Sequence, residues 1–250
     1  AAAFAMQAPV PLSAQDPAQG QAGDDLIVPP PSSPFDVGTR AQLFADQLLV
    51  HDTQGIAFRQ HVAEKHALNP ILKADKEWEG WRLVIYGEVI YDEQDRVFKM
   101  WYCSESPGYF GGGPRDSHVV TLYATSTDGV HCDKPLVGTL PAMKSVRHNV
   151  VADAELASVT KDLKEPDPAR RYKMIAFKDR PRAERGYHTY VSPDGLNWSG
   201  FSKQPICPGS DVITGYFDER LGCYVALAKI NALVRGHKRR VFHLITSKDS

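Results

Sequence analysis

Three acidic residues stand inside segments that are otherwise apolar and strand-like. They are Glu88 within 83–91, Asp153 within 149–157 and Asp211 at the head of 211–217. Paired carboxyl groups have a defined chemistry, the cleavage of a glycosidic bond. One carboxyl acts as the acid and the other as base or nucleophile. A third orients the substrate or tunes a neighbour's acidity. Asp153, Glu88 and Asp211 are therefore the catalytic candidates, and Glu155 shares the face of Asp153 by the two-residue period of a strand. Each acid has a competing structural reading: Asp211 would cap the turn after Pro208-Gly209-Ser210, and Glu88 would pair with an arginine such as Arg82.

Arg147-His148-Asn149 precedes the second of these segments. The arginine and asparagine suit sugar hydroxyls, and the histidine suits proton transfer. Arg147, His148, Asn149 and Trp78 are the substrate-binding candidates, the tryptophan by stacking on a sugar ring. Trp81 and Tyr86 have the same stacking reading, but for these two the sequence favours core packing. The basic run 235–240 reads as a solvated hairpin loop. The histidines form no His-Glu-x-x-His pattern, so neither a catalytic metal nor a cofactor is expected.

The elements that must position these residues are strands. In 96–129, Phe98, Met100 and Tyr102 alternate, as do Val120, Leu122 and Ala124, and Asp128-Gly129 supplies a tight turn. The unit recurs as 171–177 with 187–195, and again as 222–227 with 240–249. The turns at Asp128, Asp194 and Asp249 fall roughly 55–65 residues apart, in the range of propeller blades. Tandem meanders of about four strands read as blades of a β-propeller. The innermost strands, ahead of each Lys-Met-type strand, are expected at 83–91, 149–157 and 211–217. Ser126-Thr-Asp128-Gly, Ser192-Pro-Asp194-Gly and Ser247-Lys-Asp249 read as structural turns, with side chains capping backbone N–H groups and Trp198 packing beneath.

The chain has 250 residues and a net charge of −1, from 29 basic and 30 acidic side chains. Nothing in that balance favours nucleic acid or an anionic membrane. No apolar run has the length of a membrane-spanning helix. Four dispersed cysteines, Cys103, Cys132, Cys207 and Cys223, read as small buried strand residues rather than a zinc or redox site.

Residues 1–38 read as the tail of a secretory signal followed by a Pro/Gln/Gly-rich disordered linker. The competing reading is an assembly artefact. A secreted or periplasmic location follows from the first. Residues 39–250 read as a partial propeller: about three blades, with strands in 42–50 and 56–62 that would close the ring, and an end that falls inside a repeat.

Asn69-Pro-Ile-Leu72, Trp78-Glu79, Phe98-Lys-Met-Trp-Tyr102 and Tyr123-Ala-Thr-Ser-Thr-Asp-Gly129 follow one another in a recognisable order. Over about residues 40–250 this resembles the five-bladed propeller glycoside hydrolases of families 32, 43 and 130, with family 130 nearest in the opening blade. Leu43-Phe-Ala-Asp46-Gln-Leu-Leu49 and Arg170-Arg-Tyr-Lys-Met174 resemble secreted bacterial glycosyl-hydrolase-like proteins. The resemblance implies an all-β fold, a C-terminally truncated β-propeller of the five-bladed glycosidase type, and an oligo- or polysaccharide substrate. Asp153 is nearest in position to the family 130 catalytic aspartate, although Ala152 and Ala154 replace the rest of its Glu-Asp-Pro-Arg motif. A secreted glycoside hydrolase is the leading expectation. The alternatives are a non-catalytic sugar-binding propeller and a glycoside phosphorylase. Sugar, linkage and oligomeric state are not set by the sequence.

Overall fold

The computed structural model describes residues 5–6, 38–39, 43, 49–59, 61–107, 117–138, 140, 147–179, 181–201, 204–209 and 211–249. The chain forms two compact units, one of residues 9–65 and one of residues 1–8 with 66–250. In the first, the expected strand at 42–50 lies mostly outside the described residues. The described residues of 56–62 form no strand, and Ile56, Phe58 and Val62 are exposed. Alternation makes a strand only where a ladder partner accepts it.

The described residues of the second unit are all-β apart from two short 3-10 turns, Pro168–Arg170 and Arg182–Glu184. Among the described residues no helix is long and apolar enough to cross a membrane. Its strands are β1 (Ala5–Met6), β2 (Leu83–Val84), β3 (Val89–Asp92), β4 (Val97–Pro107), β5 (Ser117–Ser126), β6 (Val150–Ala152) and β7 (Glu155–Lys161). They continue with β8 (Tyr172–Lys178), β9 (Gly186–Ser192), β10 (Ser199–Gly200), β11 (Ile213–Asp218), β12 (Cys223–Val234) and β13 (His237–Ser247). They make three antiparallel sheets. The first runs β2-β4-β5-β6 with β3 also on β4, the second β7-β8-β9-β10, and the third β11-β12-β13-β1. Lys99 and Lys173 thus lie in separate sheets, as tandem meanders require. The described residues do not close a ring.

Alternation along single strands builds the stack. On β4, Met100 and Tyr102 enter one apolar cluster and Trp101 another. On β8, Met174 and Ala176 face the first sheet while Ile175 and Phe177 face the third. These strands are buried on both faces, hence their near-continuous apolar character. The expected inner strand at 149–157 is corrected. Val150–Ala152 pairs with β5 and completes the first sheet, and the second sheet begins only at Glu155. An unbroken apolar run carries no mark of the ladder it joins.

A repeated polar latch joins neighbouring sheets. Asp92 ends β3 and accepts from Lys99 at 2.7 Å, from Lys161 at 2.7 Å and from the Tyr172 hydroxyl of the second sheet at 3.0 Å. Asp162, just after β7, repeats this with Lys173 at 3.3 Å and the Tyr224 hydroxyl of the third sheet at 2.5 Å. In the third sheet Val225 takes the place of the lysine, and Asp218 caps a turn instead.

The Ser-x-Asp-Gly turns at 126 and 192 carry the same bonds. The serine oxygen accepts from the Asp and Gly N–H groups, and the aspartate accepts from the two residues beyond. Trp198 packs into the adjoining core. Gly195 has φ +76°, and a Cβ there would lie 2.7 Å from Trp101 Cζ2. The Trp101 indole N–H donates to the Gly195 carbonyl at 2.8 Å. Gly195→Ala is expected to cost about 2 kcal/mol, from left-handed strain plus overpacking. Gly222 has φ +62° with nothing within 4 Å, so Gly222→Ala isolates the strain alone. Urea unfolding of both variants separates the two costs, and equal losses would show that Trp101 simply moves aside.

Candidate functional site

The first strands of the three sheets can be aligned on the aspartate that ends each: Asp92, Asp162 and Asp218. Glu88 and Ser158 lie four positions ahead of theirs, while Glu155 and Asp211 lie seven ahead. The equivalent of Asp211 is therefore Glu155, not Asp153, and Glu88 occupies a different tier. The seventh position in the first sheet is Ile85.

Local backbone conformation sets this tier. Leu156 has φ 51° and Asp211 has φ 81°, both left-handed without being glycine. Such residues cost about 1–3 kcal/mol and persist only where the surroundings fix them. Between Glu155 and Ser158 the β7–β8 register shifts, and the Leu156 N–H donates to Cys103 Sγ at 3.1 Å. The irregularity places Glu155 at the strand entrance, opposite Phe177 and near Asp179.

Glu155 is the perturbed acid. Burial is the largest cause, the charge of Asp179 follows, His118 opposes, and Asp211 and Asp153 add to the rise, so that its pKa is pushed up to about 7. Low polarity and like charge both disfavour a second ionised carboxyl at one place. Its neighbours are individually anchored. His118 Nε2 and Asp153 Oδ1 are 2.5 Å apart, Asp179 accepts from Arg185 at 2.8 Å, and Asp211 is ion-paired with Lys229. Asp153 and Asp211 thus both act on Glu155 through their charges.

Glu88 stands apart from that group. It accepts from the Ser158 hydroxyl at 2.8 Å, and Ser158 Oγ in turn accepts from Gly215 N–H at 3.0 Å. A line of contacts therefore crosses the first strands of all three sheets one tier below the acids. Burial raises the Glu88 pKa and the serine bond opposes the rise. Arg82 pairs with Glu105 rather than with Glu88.

The polar atoms of three substrate-binding candidates are bonded inside the protein. The Trp78 indole donates to Asn149 Oδ1 at 2.7 Å, and Asn149 Nδ2 donates to the Tyr102 hydroxyl at 2.8 Å and the Tyr123 carbonyl at 2.7 Å. Tyr102 donates to Glu79, which pairs with Lys134. His148 is buried, accepting from the Val150 N–H at Nδ1 and meeting the Leu140 carbonyl at Nε2. Arg147 is exposed. Trp81 and Tyr86, expected in the core, are exposed instead. The four cysteines are free thiols. Glu155 and His118 are the residues that the acid candidates omit. Counting back from the repeated aspartate would have found Glu155, whereas nothing in the sequence marks His118.

No family model and no curated protein matches this chain. Solved structures similar to it include the following three. An N-acetylgalactosamine deacetylase from F. plautii, in complex with blood group B trisaccharide, matches at 16% identity and TM-score 0.39, over 63% of this chain and 48% of that one. A β-fructofuranosidase from Schwanniomyces occidentalis complexed with fructosyl-erythritol gives 16% and 0.41, over 62% of this chain and 32% of that one. A point variant of the fructofuranosidase from the same organism, complexed with fructosylnystose, gives 15% and 0.40, with the same coverage. The chain spans less than half the length of each. Likeness of this depth assigns it neither a family nor a substrate.

Proposed function

We propose that this chain is a secreted, carbohydrate-active protein of propeller type that hydrolyses glycosides. The observation that carries the reading is Glu155, kept substantially protonated near neutral pH beside the carboxylate of Asp153 and steadied by the field of Asp179 and Asp211. Glu155 donates its proton to the leaving oxygen, and His118 favours the carboxylate that remains. Asp153, held by His118, supplies the second carboxylate, as base or nucleophile. Asp211 acts on Glu155 through charge, and Glu88 supports the first strands through Ser158. The sequence of residues 1–38 supports a secreted or periplasmic location.

Asp153→Asn is expected to reduce turnover of aryl glycosides by about 10²–10⁴-fold, with azide restoring part of it. Unchanged turnover in that variant would reject the role of Asp153. A second reading is favoured by the ion pairs on Asp153 and Asp211, which engage two of the acids: a sugar-binding protein without turnover. It predicts oligosaccharide binding by a wild-type protein that cleaves no aryl glycoside.

A further inference from the structure

Trp81 is the most exposed tryptophan described, at 77%. An indole left in water forgoes about 2 kcal/mol of burial, yet this one is held firmly. Its N–H donates to Glu105 Oε2 at 2.9 Å, and Arg82 pairs with the other oxygen of the same carboxylate at 2.5 Å. The Arg82 guanidinium lies 5.2 Å from the centre of the Trp81 ring. Gly80 fixes the backbone beneath. Its N–H donates to Ser104 Oγ at 2.8 Å, and a Cβ there would fall 1.6 Å from the Glu105 carbonyl oxygen. With its polar edge satisfied, the ring offers an apolar surface of fixed orientation.

Register links this ring to the acids. On β4 and β5, Glu105 pairs with Val119 and the next residue, Ser106, pairs with His118, which holds Asp153. Cys103, two residues before Glu105, receives the N–H of Leu156, next to Glu155. Ile85 holds the position that Glu155 and Asp211 hold in the other sheets, so Trp81 lies at the acid-bearing end of the first strand.

We propose that Trp81, fixed by Arg82 and Glu105, is a stacking platform for the C–H face of a sugar ring in a neutral oligosaccharide, distal to the ring cleaved at Glu155. The proposal rests on the glycoside-acting reading above. Aromatic rings held at a defined angle favour the flat apolar face of a sugar, while the charged rim of Arg82 and Glu105 suits its hydroxyls.

The test uses the whole chain, with intrinsic fluorescence titrations against four neutral tetrasaccharides, of β-glucose, β-xylose, β-mannose and β-fructose units. Wild-type protein and Glu155→Gln are expected to bind at least one of them. Trp81→Ala is expected to bind it about tenfold more weakly, and Trp81→Phe to regain part of the loss. Saturation-transfer NMR should place ring protons of the sugar against the indole in wild type. Undiminished affinity in Trp81→Ala would overturn the platform and leave the reading of the acids standing. Binding of none of the four by wild type would overturn both. Loss of self-association in Trp81→Ala, seen by sedimentation without any change in sugar affinity, would assign the ring to a protein interface and reject the proposal.

Discussion

Glu155→Gln is expected to lower kcat/KM for alkyl glycosides by about 10²–10⁴-fold and to leave kcat/KM for a 2,4-dinitrophenyl glycoside within a few-fold of wild type. The dinitrophenolate departs without a proton, so only the substrate that needs an acid registers its loss. The wild-type rate should fall as pH rises through about 7, where Glu155 ionises, and the variant should lack that limb. The same residue leaves a mark on stability. Its folded pKa lies above its unfolded value, so the folded state holds the extra proton between them. That contribution is complete below about pH 4.5 and fades as pH rises to about 7. Glu155→Gln should therefore match wild type near pH 4.5 and exceed it by about 2 kcal/mol at pH 8.5. Parallel stability profiles for the two proteins from pH 4.5 to 8.5 would show that Glu155 is an ordinary surface acid.

The second large effect belongs to the latch. Asp92→Ala is expected to cost about 3–5 kcal/mol, measured by urea unfolding at pH 7. The Asp92 side chain is fully buried, and its removal takes the shared carboxylate from Lys99 and Lys161 at the junction of two sheets, leaving Asp95 and Tyr172 to Lys99 and Gln94 to Lys161. Burial resists ionisation of this carboxyl, but its bonds from Lys161, Lys99 and Tyr172 outweigh burial and hold it well below the usual carboxylate range. Its stabilisation is therefore present above about pH 4 and lost as pH falls below that, so wild type should converge on the variant in acid. Tyr172→Phe removes two bonds, the one donated to Asp92 and the one accepted from Lys99, and leaves the charges paired, so about 1–2 kcal/mol is expected. A double-mutant cycle between Asp92 and Tyr172 would show a coupling of about 1 kcal/mol. Loss below 1 kcal/mol in Asp92→Ala would mean that the sheets are joined by apolar packing alone.

Much of the architecture was legible in the residues. Period-two alternation and the recurring Asp-Gly turns pointed to the meanders at 97–126, 172–192 and 213–247. The segment before each second strand supplied the first strand as expected at 211–217, and at 83–91 it did so only as two short strands, β2 and β3, interrupted at 85–88. The third failed because Val150–Ala152 and Glu155–Lys161 form one apolar run divided by two residues. The expectation at Trp81 failed because an indole's type does not say which side of a ladder meets water. His148 and Asn149 suit sugar chemistry by type, but the same donors and acceptors serve a buried network as well.

The kind of fold was thus readable from the chain alone: all-β, built of tandem antiparallel sheets, although Glu88, Asp153 and Asp211 lie just outside the strands that were expected to carry them. Alternation and turn chemistry are local, acting over a few residues, and a single chain displays them openly. Which acids act on one another was set by tertiary packing. Glu155 feels the charges of Asp179, Asp211 and Asp153 at a strand entrance marked by a register shift and a left-handed Leu156. Packing also decided that His118, 35 residues from Asp153, should hold that carboxylate. Acidity is set by burial and by charges within a few ångströms, and those distances exist only once the sheets have packed.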